Sequence, residues 1–388
     1  MGQIDKTVEG LNGFINKNQG KINTWLNTKM NKDVPIYSSV DIRNAGFKIV
    51  PVDTNLFPSG FNNLSQKSLE IATTYFLDFF TKNFPNVKKI AVITEGFTRN
   101  TGYWQNIKTL LQILKNTNLE IKFIALHDEL LDAIKDVKVF KCRKQDDTLI
   151  IGERWSPDLI LLNNDLTEKI PEELIGIDIP ILPNLRYGWH NRKKYLHYQA
   201  YNHLVHQFCN EFGIDPWLIS AYFTKCKNIS FRKKEGLECI AENVDSIIIK
   251  IRQKYDEYQI KEAPVVFIKA NNGTFGRGII SVKNGKEVMN LNKKLRHSLD
   301  AIKGNTVNSE VVIQEGIKTI EKFKNYPAEN IIYLINGKII GKFARYNINK
   351  DINHNLNSKG MFFTQFSDVN MSIEALVSRI ATIAVAYE

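Results

Sequence analysis

The sequence predicts an α/β protein: an N-terminal domain on a parallel sheet, then an α+β domain carrying a glycine-rich hairpin. Three observations lead there. Apolar runs at Ile90-Ala91-Val92-Ile93 and Leu159-Ile160-Leu161-Leu162, with a further strand at Glu120–Leu126 between them, are separated by helix-length segments. Continuous apolar runs are the mark of strands buried on both faces, and strand–helix–strand order implies a parallel sheet with covering helices. The last third changes character, with strands at Val265–Lys269 and Gly278–Val282 around a Gly-rich loop. Finally, Asn336-Gly337 between two apolar segments is a strong two-residue hairpin signal.

In chain order, residues 4–30 form one or two amphipathic helices, with Ile4, Val8, Leu11, Phe14 and Ile15 at helical spacing. Pro35–Asp41 and Phe47–Val52 read as strands, followed by a polar, turn-rich stretch over 53–63. Helices are expected over 65–83, 103–116, 191–212, 236–258 and 284–300, and from about 371 onward. Further strands are expected at Glu310–Glu315, 331–335 and 338–346. These elements suggest three segments: 1–178 as an N-terminal α/β substrate domain, 179–260 as a linking helical subdomain, and 261–388 as a C-terminal subdomain with the Gly-rich flap.

Composition narrows the function classes. The chain has 388 residues, of which 43% are hydrophobic, enough for a large core and two or three domains. No run of 18 apolar residues occurs, so no membrane-spanning helix is expected, and the N-terminus lacks the apolar core of a secretory signal. Cysteines at 142, 209, 226 and 239 show no metal-binding spacing and read as free thiols in a reducing cytoplasm. His203, His206 and Cys209 share a helix but read as an ordinary helix face. The net charge of +11 favours an anionic partner. The basic residues are spread rather than clustered among aromatics, and no nucleic-acid motif appears, so nucleic acid is not expected. A homo-oligomer is compatible with the sequence.

The chemistry concentrates in a few stretches. Ile268-Lys269-Ala270-Asn271-Asn272-Gly273-Thr274-Phe275-Gly276-Arg277-Gly278-Ile279 places a lysine on the strand before a glycine loop. It is neither a Walker A loop nor a dinucleotide fingerprint, because a strand and not a helix follows. A hairpin flap closing over phosphates fits better. Gly273, Thr274, Gly276 and Gly278 let the backbone approach a phosphate and turn N–H groups toward it, with Lys269 and Arg277 adding charge. The strand end Ile313-Gln314-Glu315-Gly316 could hold a flat base. Downstream, Glu329, Asn355 and Asn357 are hard oxygen donors of the type magnesium takes beside substrate phosphates. Arg345 suits a carboxylate or phosphate. Ligands of parallel sheets bind beyond the strand C-termini, which makes Thr94–Asn100, with Glu95, Arg99 and Asn100, a candidate substrate loop.

Taken together, these stretches resemble the ATP-grasp ligases. More narrowly, Gly273–Ile279, Ile313–Gly316, Asn355-Leu356-Asn357 and Gly360–Phe363 look like the proteobacterial ATP-grasp-type glutamate–cysteine ligase family. Ser39–Lys48, Pro51–Pro58 and Tyr187–Lys194 are similar to that family as well. Asn271-Asn272 departs from the resemblance, standing where an acidic–small pair is expected.

The resemblance implies a pre-ATP-grasp-like parallel-sheet domain followed by an ATP-grasp domain. It implies an ATP-dependent, ADP-forming ligase that phosphorylates the γ-carboxylate of L-glutamate and passes the acyl group to the amine of L-cysteine. The product is γ-glutamylcysteine, the first intermediate of glutathione synthesis. Lys269 and Lys194 would bind ATP, together with the flap glycines, Thr274, Gln314 and Glu315. Glu329 and Asn355 would hold Mg2+. Lys269 and Arg345 would act on the transferring group. Arg43, Asp53, Asn55, Glu95, Arg99 and Asn100 would bind the amino-acid substrates, two arginines suiting two carboxylates and an acid suiting an ammonium. Other readings are another ATP-grasp carboxylate–amine ligase, or a nucleotide-binding sensor without turnover.

Overall fold

The structure is a computed structural model that describes residues 7–96, 100–126, 137–272, 279–300, 309–365 and 372–388. The described residues form a mixed α/β protein with three sheets. Helices α1 (Val8–Lys17) and α2 (Gln19–Lys29) open the chain. They are followed by the antiparallel strands β1 (Tyr37–Asn44) and β2 (Ile49–Asn55). Helix α3 (Gln66–Asn83) starts where the Ser65 hydroxyl accepts a bond from Ser68 N, and it buries Ala72, Phe76 and Phe80 at helical spacing.

The expected parallel sheet follows. It contains β3 (Lys89–Thr94), β4 (Glu120–Ala125), β5 (Val139–Gln145), β6 (Thr148–Ile151), β7 (Leu159–Asn163) and β8 (Ile181–Leu182), in the order β6-β5-β4-β3-β7-β8. Pairing is parallel from β5 through to β8, and β6 turns back antiparallel on β5. Helix α4 (Thr101–Lys115) covers it.

Helix α5 (Lys194–Phe212) ends at Gly213, whose φ of +68° is the left-handed cap conformation glycine adopts freely. A four-stranded antiparallel sheet comes next, built from β9 (Phe223–Lys227), β10 (Val266–Ala270), β11 (Ile280–Val282) and β12 (Glu310–Glu315), with β10 between β11 and β12. Helix α6 (Leu237–Glu257) precedes β10. The helix expected over 284–300 is instead two, α7 (Gly285–Met289) and α8 (Lys293–Asp300). The chain exits α7 through Asn290, and Asn292 accepts from Leu295 N to begin α8. Short β13 (Lys322–Phe323) precedes the long hairpin of β14 (Tyr326–Ile335) and β15 (Lys338–Asn347). Its turn places Asn336 and Gly337 at positive φ, as a type I′ turn requires. Strand β16 (Met361–Thr364) and helix α9 (Ser372–Ala384) complete the elements.

The third sheet has the order β16-β15-β14-β1-β2, with β13 added to β14. Strands from the first 55 residues thus sit beside strands from beyond residue 325. In β1, Val40 and Ile42 enter the large core cluster that also holds Leu11, Val377 and Ile380. Burial stabilises each such side chain by roughly 1.5–3 kcal/mol. A one-residue slip would bury Asp41 and Arg43 in their place, so the register is firmly set.

Candidate active site

The period-two pattern of β1 turns Ser39, Asp41 and Arg43 to the face away from that core. Across the ladder, Ser39 pairs with Asn55 and Asp41 with Asp53. On the other side Ile42 pairs with Asn330, so Arg43 stands one step on, level with Glu329, which itself pairs with Arg345. Directly opposed residues share a face, so a row of charged groups crosses four strands. Arg43 Nε donates to Glu329 Oε2 at 2.8 Å, and its other nitrogens donate to the carbonyls of Ile317 and His354 at 3.0 and 2.6 Å. Arg345 Nη1 donates to Glu329 Oε1 at 2.7 Å and to Asp41 Oδ2 at 2.9 Å.

This face meets the antiparallel β9–β12 sheet at a cleft of about 670 Å3 that is open to solvent. Lys269 enters it from β10, Gln314 from β12 and Lys194 from the start of α5. Lys269 Nζ donates to Gln314 Oε1 at 2.7 Å, and Lys194 Nζ to Asp53 Oδ1 at 2.7 Å. The two lysines thus flank one space. Arg43, Asp41, Glu329, Asn355 and Asn357 also border it. Asn271 sets the position of Lys194. Its carbonyl accepts from Lys194 N at 2.8 Å and its Oδ1 from Tyr195 N at 2.9 Å, tying the first turn of α5 to the end of β10.

Glu315 is anchored beside Gln314 at the end of β12. It is 1% exposed, and its carboxylate accepts from Lys48 Nζ at 2.9 Å, Trp217 Nε1 at 3.1 Å and Tyr222 N at 3.0 Å. Its side chain fixes the end of β12, and the residue borders the smaller cleft.

A second, wider cleft of about 1540 Å3 adjoins the first and shares Asp41, Asp53 and Asn357 with it. Asn55, Glu95, Asn100 and Arg345 all border it, so four elements bring together residues singled out from the sequence. Several also have local duties. Asn55 Oδ1 accepts from Phe57 N at 3.0 Å, Asn100 Oδ1 caps α4 through Tyr103 N at 3.1 Å, and Glu95 Oε1 accepts from Asp165 N at 2.6 Å. Arg43 borders the smaller cleft. Arg99, Gly273, Thr274, Gly276 and Gly278 lie outside the described residues. Asp41 and Lys48 were not singled out as site residues, and Asn271 was noted only as a departure from the resemblance. The alternation of Ser39, Asp41 and Arg43 with Val40 and Ile42 carried the signal for Asp41; no local pattern marked the other two.

The electrostatics follow from burial among charges. Burial, reinforced by the Lys194 ammonium, lowers Lys269 from 10.5 to about 7. Burial raises Asp41 to about 6 against the pull of Arg345, with Glu329 and Asp53 adding to the rise. Burial works upward on Asp53 too, but Lys194, Lys269 and Arg192 outweigh it and hold the carboxyl at about 2. Glu329 is likewise pushed up by burial, yet Arg43 and Arg345 bring it below the ordinary carboxylate range.

Among the described residues no group of three or more His, Cys, Asp or Glu side chains could enclose a metal by itself. A divalent cation here would draw its remaining oxygens from a bound phosphate, which suits magnesium. Of the two ligands expected, Glu329 already has a guanidinium on each oxygen, and the Asn355 Oδ1 accepts from Asn357 N at 3.0 Å. Asp41 and Asp53, opposed across β1 and β2, are the carboxylates shared by both clefts.

The sequence profile of the family described as Glutamate-cysteine ligase matches residues 12–382. A crystal structure from Methylobacillus flagellatus KT, of a protein named for gamma-glutamylcysteine synthetase activity, is 33% identical. It covers 100% of this chain and 97% of its own, with a TM-score of 0.90. D-alanyl-alanine synthetase A from Vibrio cholerae O1 is 12% identical over 67% of each chain, with a TM-score of 0.33. A glutathione synthetase-like effector from Globodera pallida is 9% identical over 92% of this chain and 79% of its own, with a TM-score of 0.41. No curated protein matches.

Proposed function

The chain belongs to the glutamate–cysteine ligase family, and we propose from that premise how its own residues carry the reaction. The γ-carboxylate of L-glutamate attacks the γ-phosphorus of ATP and ADP leaves. The amine of L-cysteine then attacks the acyl carbon, phosphate departs, the amine nitrogen releases a proton, and γ-glutamylcysteine remains. The observation that carries the assignment is the adjacency of two clefts, one flanked by buried lysines and the other by polar and charged groups, with Asp41 and Asp53 on their shared border. The arrangement of an ATP-grasp domain after a parallel-sheet domain belongs to this proposal.

Lys269 and Lys194 take the ATP phosphates in the smaller cleft, where their charge offsets that of the transferring group. Gln314 orients Lys269 and meets the nucleotide beside it. Asn55, Glu95 and Asn100 shape the amino-acid side, Arg43 supplies charge next to the phosphates, and Arg345 faces a phosphate or substrate carboxylate. Holding the reactants in line is worth about 7–11 kcal/mol of barrier in favourable cases. Magnesium, when bound with the nucleotide, would be held by Asp41 and Asp53, with Asn355 beside them, and would neutralise phosphate charge. Glu329 drops out of that ligand set because both of its oxygens are paired with arginines.

Acceptor choice is tested by ADP release from ATP and L-glutamate, with each amino acid supplied in turn. L-Cysteine is expected to give the highest turnover, with one ADP per dipeptide. Faster turnover with another amine would move the assignment to a different acceptor. ADP release that ignores glutamate would overturn the ligase reading.

A further inference from the structure

Glu329 was expected to bind metal, yet its surroundings are cationic. One oxygen receives Arg43 Nε at 2.8 Å and the other receives Arg345 Nη1 at 2.7 Å. All three side chains are more than nine-tenths buried. The two guanidiniums serve different spaces: Arg43 borders the smaller cleft and Arg345 the wider one. Arg345 has a second property. Its Nε is buried and has no hydrogen-bond partner among the described residues. A buried N–H left unpaired is unfavourable unless a ligand brings an acceptor. The planar guanidinium fork is best matched by a carboxylate.

We propose that Glu329 is a positioning residue, bridging Arg43 on the phosphate side to Arg345 on the substrate side, and that Arg345 Nε donates to a carboxylate oxygen of the amino-acid substrate. This rests on the ligase reading and deepens it. One carboxylate thereby sets the spacing between two cations that would otherwise repel each other. Asp41, on the second contact of Arg345 Nη1, fixes the same guanidinium from the β1 side. A phosphate is the poorer occupant for Arg345, because the lysines border the other cleft.

Two variants test this by calorimetric titration of L-glutamate in the presence of magnesium and a non-hydrolysable ATP analogue. Arg345→Lys keeps a cation between Asp41 and Glu329 but removes the Nε–H. It is expected to weaken glutamate binding by about tenfold or more, the weight of one charge-assisted hydrogen bond, while affinity for the analogue stays within about twofold. Glu329→Gln keeps the shape but not the charge. It is expected to weaken glutamate binding comparably while the magnesium concentration at half-saturation of analogue binding stays unchanged. Unaltered glutamate affinity in Arg345→Lys would overturn the proposal. So would a Glu329→Gln protein that needs far more magnesium yet binds glutamate normally, the signature of a metal ligand. If Glu329→Gln does not fold, Arg345→Lys decides alone. Failure of the ligase reading looks different: the unaltered protein would then not bind glutamate.

Discussion

Lys269 shows how a single residue links burial to function. Its ammonium is disfavoured by burial and by Lys194, so it titrates near pH 7 and not near 10.5. A phosphate beside it restores the proton. Nucleotide binding above pH 7 should therefore take up a proton, and affinity should fall by up to roughly tenfold per pH unit from pH 7 to 9. Calorimetry in buffers of different protonation enthalpy measures that uptake directly. Lys269→Met should abolish most of it along with most turnover; wild-type kcat in that variant would remove Lys269 from the chemistry. The same shift acts on the unliganded fold with the opposite sign. Between pH 7 and 10 the unfolded lysine keeps a proton that the folded one has released, so this group's contribution to stability grows as pH rises.

At the scale of elements, α5 and β10 are joined by Asn271, which holds the first turn of the helix and so aims Lys194 at Asp53. Asn271→Ala should cost about 0.5–2 kcal/mol, as loss of a cap does, seen as a lower Tm. It should also raise the KM for ATP, because Lys194 loses its anchor; an unchanged KM would mean the helix start holds itself. Elements of this kind were unevenly legible in the sequence. Strands β3 and β7 were plain because both faces are buried and the sequence is almost continuously apolar, and β4 showed through its apolar second half, Phe123-Ile124-Ala125. The β5–β6 hairpin escaped notice because β5 is largely exposed and carries Lys141, Arg143 and Lys144. Short β9 and β16 give too little pattern to see. The lysines and arginines of the site were readable as residue types, whereas the Arg43–Glu329 bridge joins positions 286 residues apart and has no local trace. The anchoring of the Glu315 carboxylate by Lys48 and Trp217 has no local trace either, because both partners lie far from it along the chain.

Over the whole molecule, the two ends of the chain fold as one body. One core cluster runs from Leu11 to Ala384, and a second joins Phe123 and Leu161 of the parallel sheet to Ile331 and Phe343. The charged row exists only when β1 and β2 lie beside β14 and β15. Residues 1–178 expressed alone should thus leave Val40 and Ile42 uncovered and fail to give a protease-resistant β1–β2 hairpin; a resistant hairpin in that fragment would contradict this. The whole assembly has one purpose in this account, the transfer of phosphate to the γ-carboxylate of glutamate. L-Glutamate labelled with 18O in that carboxylate, turned over with ATP and L-cysteine, tests it most directly. One labelled oxygen is predicted in each inorganic phosphate released, and phosphate free of label would contradict the account.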